Sequence, residues 1–205
     1  MSAEPVDEAK KLALKFNNVM FGLFGGWLAL LVMFWLRGFG PMLSYDARPL
    51  TVSVPSWFAI SLVAATIAAL LPRSFYRPRP FEIEGSLYRA IGIRGFRAII
   101  TDGDLINAWV RQRHPGYRVH RGPGRIVSAV ESGFKAERSH HVFFWFGLGT
   151  SLCAWLGGWH GWAILIALGN VFGNFYPMLL QRYTRGRLWR LRPDLVKRTL
   201  GVGDG

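Results

Sequence analysis

The sequence predicts an all-α integral membrane protein of four transmembrane helices, and three observations predict it. Apolar residues make up 51% of the 205-residue chain while the formal net charge is +13, and the two are kept apart rather than interleaved. Four stretches, 19–36, 55–71, 142–156 and 162–180, carry no charged residue at all. The lysines and arginines between them alternate in number, which is how short loops of membrane proteins record their side of the bilayer. Such segregation is what hydrocarbon demands of a chain that must also stay charged.

Residues 1–15 are polar and mixed in charge, a lead-in to the first apolar stretch. As a helix, 19–36 would be about 27 Å long, close to the roughly 30 Å of a bilayer core. Glu4, Asp7 and Glu8 dilute the positive start, and no small-x-small cleavage site follows. A retained helix is therefore expected rather than a cleaved signal. The second stretch, 55–71, is rich in Ala, Ile and Leu and is stopped by Pro72 and Arg73. It is short, and reads as a span with a re-entrant or interfacial helix as the alternative.

The polar middle, 73–141, opens with Arg77-Pro78 and Arg79-Pro80, pairs that favour an extended path. Three glycines interrupt 81–100, so short interfacial helices are expected there. Asp102 and Asp104 mark a helix start, and Pro-Gly and Gly-Pro pairs make 111–125 a basic loop. The last two apolar stretches form an antiparallel hairpin about the turn 157–161, and 181–205 is a basic tail. The whole chain, 1–205, reads as one membrane domain.

Along the chain the five segments outside these stretches hold three, two, thirteen, no and seven lysines and arginines. Four crossings with both termini in the cytoplasm put 23 of the 25 on one side, as expected of a multi-pass protein of a bacterial inner membrane. Nucleic acid is not an expected partner, because no groove-reading motif accompanies the arginines. The single cysteine, Cys153, allows no disulfide framework and reads as a small buried hydrophobe.

Chemistry concentrates near the hairpin. Asn170, Asn174, Pro177 and Gln181 recur at helical spacing and share one face. Amides in lipid are costly unless they meet protein or a wet cavity; Asn170 also reads as glue between helices. Gly169 and Gly173 lie beside that stripe and permit close packing. On the partner helix, Glu137 stands three residues before His140 and four before His141, so its carboxylate can reach an imidazole. Folding the hairpin about its turn sets Glu137 level with Gln181 and His140 level with Met178. Arg182, Arg185 and Arg187 follow directly. A histidine oriented by a carboxylate is a general-base arrangement. No metal is expected, since Glu137, His140 and His141 cover barely more than one turn with no second ligand set.

Ala136-Glu137-Arg138-Ser139-His140, then the hairpin, then Asn174 to Pro177 and Gln181-Arg182-Tyr183-Thr184-Arg185-Gly186-Arg187, resembles the glycosyl-4,4'-diaponeurosporenoate acyltransferase family. These are small bacterial membrane proteins of carotenoid glycolipid synthesis. Their pattern is Ala-Glu-x-x-His followed by Asn…Pro…Gln-Arg-Tyr-Asn-Arg-x-Arg, with Thr184 here in place of the asparagine. The resemblance implies Glu137 and His140 as a catalytic pair, with Asn174, Gln181, Arg182, Tyr183, Arg185, Arg187 and His141 as binding or structural partners. It implies an acyl-CoA or acyl-carrier-protein thioester as co-substrate rather than a bound cofactor, and a lipid or glycolipid hydroxyl as acceptor. The sequence leaves a single chain and a homo-oligomer both open.

Two other classes compete. Arg113-His114-Pro115-Gly116-Tyr117 matches a string of isoprenylcysteine-type membrane methyltransferases, but a Gly/Pro/Arg loop follows it instead of an apolar helix. A membrane scaffold whose arginines hold anionic headgroups would explain the charge. It would not explain why Glu137, His140, Asn174 and Gln181 share one depth.

Overall fold

A computed structural model describes residues 4–39, 50–100, 104–113 and 123–201. Every regular element among the described residues is helical. Asp102 and the Arg-His-Pro-Gly-Tyr string from His114 onward lie outside them. In order, the helices are α1 (Glu4–Phe39), α2 (Val54–Ala69), a 3₁₀ turn at Arg73–Tyr76, α3 (Pro80–Glu84), α4 (Ser86–Ala90), α5 (Ile93–Ile99), α6 (Asp104–Arg113), α7 (Pro123–Leu156), α8 (His160–Asn170), α9 (Tyr176–Leu191) and α10 (Pro193–Leu200). A single π-helical turn, Val171–Phe175, joins α8 to α9.

Two helical stretches, Leu14–Leu36 and His160–Leu191, are long and apolar enough to cross a membrane. The expectation of four crossings is met in that part. Helix α2 has 16 residues, about 24 Å, shorter than a bilayer core. The third apolar stretch is the last part of α7, a helix of 34 residues whose first half is polar. The reason is local. Pro72 stops α2 early, while α7 already begins at Pro123, inside the stretch read as a basic loop, because proline fits a helix's first turn and the lone Gly133 does not interrupt it.

The chain divides into two compact units, whose boundaries fall inside α1, α7, α9 and the 3₁₀ turn. One unit comprises Phe24–Phe75 and Phe134–Gln181. Its core is aromatic: Trp27, Leu31, Phe34 and Trp35 of α1 pack with Cys153 and Ala154 of α7 and Ala163 and Ile166 of α8. The Trp27 indole donates to the Ile166 carbonyl at 3.1 Å, and that of Trp35 to the Thr150 hydroxyl at 3.0 Å. Gly169 is required here, because any side chain would collide with the Trp27 ring. Gly173 faces Phe24, so the two small residues admit α1 rather than α7. Arg138 of α7 donates to the Ala69 carbonyl at the end of α2. Beside this aromatic core the unit buries several polar groups and leaves large apolar ones uncovered. Its buried residues include Ser61, Glu137, Thr150, Ser151, Asn170 and Asn174, while Leu62, Val63, Ile67, Trp155, Leu165 and Phe172 stand exposed. Polar groups inside and large apolar ones outside are what a lipid surround favours.

The other unit comprises Met1–Leu23, Tyr76–Gly133 and Arg182–Gly205. The predicted short helices are α3, α4 and α5, separated by Gly85 (φ 71°) and Gly92 (φ 77°) in the left-handed region that glycine enters without strain. Helix α6 begins at Asp104, one of the two expected starts.

Candidate functional site

The hairpin of α7 and α8 turns over Gly157, Gly158 (φ 82°) and Trp159, whose N–H returns to the Ala154 carbonyl at 2.9 Å. Three cross-links fix its register: Ser151 hydroxyl to Ala163 carbonyl at 2.8 Å, Asn170 amide to Phe144 carbonyl at 2.9 Å, and His140 to Asn174 at 3.2 Å. Each pair is centred on Gly157. The turn is thus tighter than the five residues read from sequence. The pairing is displaced by four residues, one helical turn, and His140 stands level with Asn174 rather than Met178.

Two of these cross-links, joined by a bond from Asn174 to Asn170, form a chain of hydrogen bonds with one direction. The Asn170 amide nitrogen donates to the Phe144 carbonyl, so its oxygen is left to accept. The Asn174 nitrogen donates to that oxygen at 2.9 Å, which turns the Asn174 Oδ1 toward Nδ1 of His140 at 3.2 Å. An amide oxygen accepts only, so Nδ1 carries the proton and Nε2 is the basic nitrogen of the neutral ring. Asn174 is fully buried and Asn170 nearly so, and neither can reorient without stranding a polar group. The π turn holding Asn174 brings it beneath Asn170 at this spacing; such turns recur at functional sites. Burial pushes the His140 imidazole below its ordinary value, against the hydrogen bonds to Asn174 and the Gly173 backbone.

Glu137 is completely buried. Its carboxylate lies 3.6 Å from Nε2 of His141, one turn on, and the His141 ring packs on Phe75 at 5.5 Å. The sequence and the family resemblance paired Glu137 with His140; in the structure the carboxylate's ion-pair contact is with His141, while His140 is held by the amide. Gln181 is partly buried on the same stretch as Asn174.

The remaining sequence-predicted residues stand in the other unit, and all but Arg187 meet a segment that the sequence did not single out, 76–88. At its middle is Glu82 of α3, 3% exposed. Its carboxylate accepts from the Arg79 backbone at 2.8 Å, from the Tyr88 hydroxyl at 3.0 Å and from Arg182 at 2.8 Å. Tyr183 packs its ring 5.8 Å from Tyr88. The buried Arg185 guanidinium donates to the Tyr76 carbonyl at 2.8 Å. Gly186 lets α9 lie against the Glu82 backbone, where a Cβ would sit 2.6 Å from the carbonyl oxygen. So Arg182, Tyr183, Arg185 and Gly186 each meet the 76–88 segment, and Arg187 is left exposed. The only hint of Glu82 in the sequence was an acidic residue two positions after an Arg-Pro pair.

Among the described residues no group of three or more His, Cys, Asp or Glu side chains is placed to hold a metal ion. A sequence profile of the glycosyl-4,4'-diaponeurosporenoate acyltransferase family matches residues 72–193, more than half of the chain. No curated protein and no solved structure matches it.

Proposed function

Because the chain belongs to the glycosyl-4,4'-diaponeurosporenoate acyltransferase family, we propose that it is a membrane O-acyltransferase in which His140 is the general base. It moves a fatty acyl group from a thioester, acyl-CoA or acyl-carrier protein, to a hydroxyl of a glycolipid such as a glycosylated carotenoid. Nε2 of His140 takes the proton of that hydroxyl as its oxygen attacks the acyl carbonyl. The new C–O bond forms, the C–S bond breaks, and the imidazolium returns the proton to the departing thiolate. The observation that carries this reading is the directed chain from Phe144 through Asn170 and Asn174 to His140, which leaves Nε2 basic.

Glu137 and His141 form the neighbouring pair, and we assign the carboxylate the task of stabilising positive charge on these imidazoles. Gln181 contributes to acceptor binding. Arg182, Tyr183 and Arg185 hold α9 to the 76–88 segment. Around this chemistry we propose one membrane domain with four crossings, both termini in the cytoplasm of a bacterial cell and the 73–141 segment at the cytoplasmic face. The exposed apolar surface and the alternating basic segments support it.

The test is reconstitution. Purified protein in lipid nanodiscs, supplied with a long-chain acyl thioester and a glycolipid with free sugar hydroxyls, is expected to release thiol in step with ester formed. Acyl-CoA and acyl-carrier protein assayed separately identify the donor. Hydrolysis without ester, or no thiol release with either donor, would overturn the assignment.

A further inference from the structure

Against the Tyr183 ring lies a cavity of about 460 Å³ whose lining adds to Tyr183 and Arg187 of the family pattern several charged residues that the pattern does not include. Five guanidiniums line it: Arg89 of α4, Arg94 and Arg97 of α5, and Arg187 and Arg190 of α9. One carboxylate, Asp104, shares the lining, and it is already engaged by Arg97 at 2.9 Å. Of the others, Arg89 reaches the Glu84 carbonyl, Arg94 the Tyr183 hydroxyl, and Arg187 lies 5.8 Å above the Tyr183 ring. None of these three contacts is with an anion. Arg94 and Arg97 are three residues apart, as are Arg187 and Arg190, so each helix turns a pair of like charges to the same space.

This arrangement is not required by the fold. The arginines that hold this unit together, Arg182 and Arg185, are inside it and committed to Glu82 and the Tyr76 carbonyl. The five around the cavity mostly stand at its surface and repel one another. A single carboxylate ligand would leave most of that repulsion in place. Guanidinium forks match phosphate oxygens two at a time, and adjacent phosphates supply several charges within a few ångströms. The volume lies within the range that encloses a small ligand.

We propose that this basin is a binding site for a ligand carrying two or more adjacent phosphates, gripped by Arg89, Arg94, Arg97, Arg187 and Arg190, with Tyr183 as its floor. The same chemistry is offered by the diphosphate of a soluble nucleotide thioester and by the headgroup of a diphosphate lipid. The inference concerns binding alone and does not depend on acyl transfer, so its failure would leave the proposed reaction standing.

The experiment is calorimetric titration of the full chain in zwitterionic nanodiscs with pyrophosphate and, separately, inorganic phosphate. Pyrophosphate is expected to bind at least tenfold more tightly. Arg190→Gln, whose side chain contributes to the basin without a carboxylate partner among the described residues, and the double variant Arg94→Gln/Arg187→Gln should each weaken it tenfold or more. Arg198→Gln, exposed on α10 and away from the basin, should not. Unchanged melting of the ligand-free Arg190→Gln protein separates lost binding from lost folding. Competition by coenzyme A would place the phosphates on a soluble ligand; competition only by nanodiscs containing a prenyl diphosphate would place them on a lipid. Equal affinity for the two anions, or pyrophosphate binding that Arg190→Gln and the double variant leave unchanged, would overturn the proposal.

Discussion

His140 illustrates how much a single residue owes to its neighbours. The sequence marks it, because Glu137, His140 and His141 cluster beside a stripe of amides, and Asn170 and Asn174 stand on one face at helical spacing. What spacing alone does not decide is which partner reaches which ring. Positions three and four residues apart are both neighbours on a helix, and rotamers choose between them. In the fold the carboxylate turns to His141 and the amide takes His140. Replacing Asn174 by Ala frees the ring to adopt either tautomer, and kcat is expected to fall by about 10²-fold with KM little changed; an unchanged kcat would remove the amide from the mechanism. A base works unprotonated, and burial holds the His140 pKa below its ordinary 6.5. The acid limb of kcat/KM should therefore fall below pH 6.5, with rates level from there to neutrality. A midpoint above 6.5 in a kcat/KM–pH profile would contradict that assignment.

At the scale of elements, punctuation was legible and pairing was not. Gly85 and Gly92 announced the breaks between α3, α4 and α5, Pro72 the end of α2, and Gly157-Gly158 the hairpin turn. The π turn at Val171–Phe175 contains Gly173 and is followed by Pro177, which has no N–H to offer the Gly173 carbonyl four residues earlier. Those residues mark a local irregularity, but not that Asn174 would meet the histidine opposite, a tertiary pairing that local propensity does not encode. Glu82 was equally hidden, since its side-chain partners lie 6 and 100 residues away in sequence. Its role is testable by stability. Glu82→Ala leaves Arg182 without that carboxylate partner and should cost about 3–5 kcal/mol. Gly186→Ala drives a Cβ against backbone rather than a flexible side chain and should cost about 1–3 kcal/mol. Thermal unfolding of each variant in detergent checks both, and wild-type melting by either would dissolve the link between α3 and α9.

For the molecule as a whole, the separation of charge from apolar sequence was the strongest signal, and the exposed apolar surface of Phe24–Phe75 with Phe134–Gln181 agrees with it. The number of crossings was less legible because α2 is short and the apolar part of α7 is the end of a longer helix. Single cysteines on a Cys153→Ser background resolve the topology. Val52→Cys and Gly161→Cys should react with an impermeant maleimide from outside intact cells, and Arg198→Cys only after permeabilisation. Val52→Cys and Gly161→Cys labelled from opposite sides would remove a crossing. None of this fixes the chemistry, which rests on one of two adjacent imidazoles. The decisive measurement is acyl transfer by His140→Ala beside His141→Ala, each reconstituted at equal folded concentration. The account predicts that His140→Ala loses at least about 10²-fold in kcat, while His141→Ala keeps most of its rate. The reverse order, or near-wild-type turnover by His140→Ala, would contradict it.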